Sequence, residues 1–120
     1  MIRPIRLHGT TDASGDAVIN SGVKVIGLLH AVEWTDGDLA NGVDFVLSQV
    51  RDNDAANITL LSVDDANDDA VYYPRYPLVK SDGSAIADQF DRAFINGSFR
   101  LVIDDGGNAK SGGATVYVEV

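Results

Sequence analysis

Apolar residues in this chain recur at every second position far more often than at every third or fourth. In FRLVIDD, Phe99, Leu101 and Ile103 fall on one side while Arg100 and Asp104 fall on the other, the alternation of a half-buried strand. ATVYVEV repeats it, with Ala114, Val116, Val118 and Val120 opposed to Thr115, Tyr117 and Glu119. VDFVLSQV sets Val43, Phe45 and Leu47 against Asp44 and Ser48, and NITLLSV offers Ile58, Leu60 and Leu61. The run VKVIGLLHAVEW, residues 23–34, is apolar on both sides: Val23, Val25 and Leu29 on one, Ile26, Leu28, Val32 and Trp34 on the other. Such a strand is either central in a two-layer core or covered by a partner. With IRPIRLH, DAVIN and VYY, about seven or eight short antiparallel strands separated by Asp, Gly and Asn turns are expected. The fold class is therefore all-β, a β-sandwich or jelly-roll-like arrangement, with residues 1–120 as one domain.

Two connections carry their own expectations. DDGGNAKSGG, between the last two strands, predicts a β-hairpin turn in which glycine supplies positive φ. In SAIADQFDRAF, Ile86, Phe90, Ala93 and Phe94 follow the spacing of one helix face and Ser84 suits an N-cap, so one short helix is expected near residues 84–94.

Composition narrows the chemistry. The chain holds 18 acidic against 9 basic residues, a formal charge of −9, which repels a phosphate backbone and argues against nucleic acid as a partner. No apolar run reaches the roughly 18–20 residues of a spanning helix, and MIRPIRLHGTTD lacks the apolar stretch of a secretion signal, so neither a membrane nor a leader is expected. Zero cysteines remove disulfides, thiolate nucleophiles and zinc–cysteine sites. GGNAKSGG is not a phosphate loop, because Ala109 instead of glycine precedes Lys110 and a strand follows. Asp36, Asp38, Asn41 and Asp44 are the better of two acidic calcium candidates, yet lack the ligand spacing of a calcium loop; Asp64, Asp65, Asp68 and Asp69 suit a solvated loop tip. His8 and His30 stand apart without a carboxylate at ligand spacing, and His30 suits a core or interface position. No nucleophile elbow is present. No enzyme activity, cofactor or metal is expected.

VYYPRYPLV, residues 71–79, concentrates three tyrosines, two prolines and an arginine. Pro74 and Pro77 donate no ladder hydrogen bonds and bias Tyr73 and Tyr76 to extended backbone, so the segment is stiff. Two readings stand open. Tyr72 and Tyr73 cover a sandwich edge with Arg75 lying over them, or Tyr72, Tyr73, Arg75 and Tyr76 form the centre of a protein contact.

The order AVEWTDGDLANGVDFVLS, YYPR, FRLVIDDGGNAKSGGATVYVEV resembles small virion proteins encoded among the head genes of tailed bacteriophages. That resemblance implies a capsid decoration or cement protein: a β-sandwich that binds the major capsid protein on the outside of the assembled head as a homo-oligomer, often a trimer. Arg3 and Arg6 then bring positive charge to an acidic shell, and Trp34 joins the tyrosines as a candidate interface residue. Two alternatives accompany it. One is a head-to-tail or tail component. The other is a carbohydrate-binding module in which Trp34 and the tyrosines form a stacking platform and Asp36 and Asp38 bind calcium.

Overall fold

The computed structural model describes residues 1–51 and 56–120 and contains, among them, ten β-strands. They are β1 (Ile2–Thr10), β2 (Ala17–Asn20), β3 (Val25–Thr35), β4 (Asp44–Val50), β5 (Ile58–Val63), β6 (Ala70–Tyr72), β7 (Tyr76–Val79), β8 (Ala85–Asp91), β9 (Phe94–Asp104) and β10 (Ser111–Glu119). Hydrogen bonding runs β1-β10-β3-β9-β4-β5, with β6 beside β3 and β2 beside β9, while β7 and β8 pair only with each other. The protein is an all-β sandwich. One layer is β1-β10-β3-β6 and the other β2-β9-β4-β5. Between them lie the alternating residues expected to be apolar, Phe45 and Leu47 against Phe99, Leu101 and Ile103, with Val116 and Val118 opposite.

Three expectations are corrected. The segment from 84 to 94 is not helical: Ala85–Asp91 is β8, paired with β7 through Tyr76↔Asp91 and Pro77↔Phe90. Positions 86 and 90 share a face in a strand as well as in a helix; Ala93, whose spacing fits only the helix, lies in the connection between β8 and β9. The glycine-rich connection does not make a hairpin. β9 pairs with β2, β3 and β4, whereas β10 pairs with β1 and β3, so residues 105–110 cross from one layer to the other.

The third correction concerns the two-faced strand. The β3–β10 register shifts between Tyr117 and Val118, which leaves His30 as an extra residue beside Ala31 and reverses the parity of the chain. Val25 and Leu29 before the bulge and Val32 and Trp34 after it all point inward, and Ile26 lies outside. Trp34 is 0% exposed, stacks on Phe45 with ring centroids 4.2 Å apart, and donates its indole N–H to the Ala66 carbonyl at 3.0 Å. It is the centre of the core and not a surface platform, because a bulge the sequence does not announce turns it inward.

The two ends of the sandwich differ in charge. Loops 11–16, 36–43, 64–69 and 105–110 gather at one end and are bonded to each other, Thr11 N–H to the Lys110 carbonyl, Ala40 N–H to Gly106 and Gly106 N–H to Gly15. Their aspartates close the loops: Asp38 accepts the Ser111 N–H at 2.6 Å and Asp44 the Asp65 N–H at 3.0 Å. Asp36, Asp38 and Asp44 thus sit among loop-locking contacts, and no group of three or more His, Asp or Glu among the described residues is arranged to hold a metal ion. With Asp44 and Asp104 at the strand ends, this end carries eleven of the chain's sixteen aspartates against one cation, Lys110.

Crowding there has a pH signature. Partial burial, then the Asp16 carboxylate beside it, push the Asp104 carboxyl above its usual range. A folded pKa above the unfolded one means the folded state holds the proton more tightly. Stability attributable to this group therefore rises as pH falls from above the raised pKa toward the ordinary carboxylate value of about 3.9, and the penalty is fully present at neutral pH. Asp104→Asn is expected to raise the denaturation midpoint at pH 7, with the gain fading as the pH nears 4. Urea melts of both proteins at the two pH values check this; a destabilising Asn at pH 7 would show that the carboxylate is needed.

Candidate ligand-binding face

The outer face of the β1-β10-β3-β6 layer can be built row by row from its register. One row runs Arg6, Thr115, Glu33, Val71; the next runs Pro4, Tyr117, Ala31 and on to Tyr73, the residue after β6. Beside them His8 lies opposite Gly113. Outward parity brings these residues together because each strand alternates and β6 adds its short edge to the central strand.

Two tyrosines define the middle of this face. Tyr117 is half-buried and its phenol donates to the Glu33 carboxylate at 3.2 Å; partial burial and that carboxylate push the phenol upward in pKa. Tyr73 is 61% exposed and meets His30 edge-on, centroids 6.3 Å apart. Ala31, on the same row between the two tyrosines, is only 4% exposed and is covered by its neighbours. The bulge sets this up by adding His30 and placing small Ala31 opposite Tyr117. Arg75 folds back over the segment, donating to the Pro74 carbonyl at 2.8 Å and the His30 carbonyl at 3.3 Å.

Toward the acidic end the face opens into a hollow of about 420 Å³ lined by Glu33, Trp34, Thr35, Asp69, Ala70 and Val71. Asp69 accepts the Asp36 N–H at 2.8 Å, and one oxygen of Asp36 is buried without a partner. Desolvation, then Asp69 and Asp68, raise the Asp36 pKa. His8 Nε2 and His30 Nδ1 are also buried and unpartnered. The His8 pKa is lowered by burial first and Arg6 second, with Glu33 opposing, so its imidazole is neutral at pH 7.

The residues singled out in the sequence divide. Arg6, Tyr73 and Arg75 belong to this face. Arg3 is exposed on the opposite parity of β1, at its start. Trp34 is core. Tyr72 and Tyr76 are half-buried against the core; Tyr72 meets Phe45 edge-on at 6.2 Å, and the Tyr76 phenol donates to the Leu60 carbonyl. Of the pair expected to cover a sandwich edge, Tyr72 packs against the core whereas Tyr73 is 61% exposed. Tyr117, Glu33 and His8 were missed, although the alternation of the last strand already set Tyr117 outward.

No protein-family model matches the chain, and no curated protein matches it. Among solved structures it is similar to the carbohydrate-binding module CBM32 of AlyQ, solved in complex with 4,5-unsaturated mannuronic acid, at 12% identity and a TM-score of 0.50 over 94% of this chain and 78% of that one. At that identity the likeness is one of fold, a β-sandwich.

Proposed function

We propose that this chain is a non-catalytic binding module whose β1-β10-β3-β6 face takes a neutral saccharide. The observation that carries the reading is the hollow of about 420 Å³ lined by Glu33, Thr35 and Asp69, on the same face as Tyr117 and the exposed Tyr73. A sugar ring has an apolar C–H face and a rim of hydroxyls. Tyrosines match the first, and Glu33, Thr35 and Asp69 supply acceptors for the second. The hollow is within the size range of small-molecule sites. The solved neighbour's ligand is an acid; here Glu33 and Asp69 repel a carboxylate, which selects neutral sugars over uronic acids.

Tyr117→Ala and Tyr73→Ala are each expected to weaken saccharide binding about 10- to 100-fold, equivalent to about 1.4–2.8 kcal/mol, with circular dichroism unchanged. Calorimetric titration of a panel of neutral and uronic oligosaccharides checks it. Binding that favours uronic acids, or that survives both substitutions, would refute the face as the site.

A second reading follows the resemblance to virion proteins: a subunit coating a phage head, bound to the major capsid protein as a homo-oligomer such as a trimer, or a related head-to-tail or tail component. It is favoured by the exposed side chains of Ile26, Phe90 and Phe94, apolar surface of the kind that oligomeric coat subunits bury around an axis, and by Arg3 and Arg6, both exposed on β1. Co-sedimentation with empty heads of the same phage tests it. Retention in the supernatant argues against the coat reading.

A further inference from the structure

The end of the sandwich opposite the acidic loops exposes large apolar residues among charges of both signs. β7 and β8 form a two-stranded arm: β8 is exposed apart from half-buried Ile86, while β7 alternates between half-buried Tyr76 and Leu78 and exposed Pro77 and Val79. Phe90 on the arm is 61% exposed and Val79 57%. At its base, one row of the register runs Ile2, Glu119, Leu28, Phe94, and Ile26 lies diagonally beside Phe94. Ile26 is 65% exposed, Phe94 64%, Ile2 41% and the adjacent Val120 49%. Exposed aromatic and branched residues of this size are what an interface core is made of, and here they are divided between the arm and its base.

Three observations identify the occupant as another copy of this chain. A two-stranded hairpin is marginal by itself, and this one is tied to the sandwich on the side of Tyr76 only, so its exposed side with Phe90 and Val79 gains from a covering surface. The projecting Phe90 and the ledge of Ile26 and Phe94 lie on one molecule, so copies related by a rotation axis satisfy each other with the same pair of surfaces. Charge then fixes the orientation. Eleven aspartates and one lysine make acidic-end contacts repulsive, whereas Lys24, Lys80 and Arg92 temper the acidic residues at the arm end. In a molecule 46 Å long, meeting at the arm ends keeps the acidic ends far apart.

We propose that this chain forms a closed homo-oligomer through its arm end, Phe90 of one copy packing on Ile26 and Phe94 of the next. The contact uses a different surface from the saccharide face and does not depend on that reading.

Light scattering after gel filtration, across a wide concentration range, tests it. Wild type and Val18→Asp, a control at a 61% exposed residue on β2, are expected at a multiple of 12.7 kDa; Phe90→Asp and Phe94→Asp are expected at 12.7 kDa, with folding retained by circular dichroism. A monomeric wild type, or a mass unmoved by both arm substitutions, overturns the proposal. Should an Asp variant lose its fold, the cysteine-free background allows a second test. Under mild oxidation, Phe90→Cys mixed with Ile26→Cys is expected to give linked chains that Val18→Cys mixed with Ile26→Cys does not, and equal linking in both would overturn it.

Discussion

Trp34→Ala is expected to leave the chain largely unfolded at 25 °C. The indole is fully buried, stacked on Phe45 and bonded to the Ala66 carbonyl. Removing a buried Trp costs about 3–5 kcal/mol through lost transfer energy and the cavity left behind. The orphaned carbonyl adds about 1–3 kcal/mol. Domains of this size have about 5–15 kcal/mol in total, so the loss is comparable with the whole. Trp34→Phe keeps an aromatic on Phe45 and gives up the hydrogen bond and part of the volume, so its loss is expected to be smaller. Urea denaturation of the three proteins orders them. A Trp34→Ala protein as stable as wild type would mean that the indole is not in the core.

Gly113→Val is expected to be nearly as damaging, for a different reason. Gly113 sits in β10 with β1 on one side and β3 on the other, paired with His8 and Thr35. A Cβ there would overlap the Leu7 carbonyl oxygen and lie 2.7 Å from the His8 Cα. Both are backbone atoms of the neighbouring strand, so neither can swing aside as a side-chain tip would. Relief requires β1 to part from β10, which exposes Ile5 and Leu7. Overpacking costs about 1–3 kcal/mol where a core can adjust, and this site has only backbone to move, so about 3 kcal/mol or more is expected. Hydrogen exchange locates the damage: amides of β1 should lose protection before those of β4 and β9. Unchanged protection in β1 would show that the ladder absorbs the side chain.

The strands were legible because burial on one side imposes a period of two. Phe99, Leu101 and Ile103 face the core as their alternation requires, and so do Val116 and Val118. What escaped was whatever depends on a partner strand. Trp34 shares parity with outward Ile26 by simple counting, and only the bulge at His30 moves it inside. Glycines between two alternating runs suit a hairpin, but they suit a crossover between layers as well; the choice is made by β10 finding room between β1 and β3. Local periodicity cannot register either effect. The candidate face shows the same limit, since Tyr117 was visibly outward while its neighbours Glu33 and Tyr73 are brought to it from other strands.

The saccharide reading stands or falls on whether a sugar contacts that face. The most direct measurement is a titration of the ¹⁵N-labelled protein with a panel of neutral hexo-oligosaccharides, following backbone amide shifts. The account predicts saturable shifts at His30, Ala31, Glu33, Tyr73 and Tyr117, with the arm residues from Tyr76 to Asp91 unmoved. No shift with any member of the panel, or shifts confined to the arm, would contradict it.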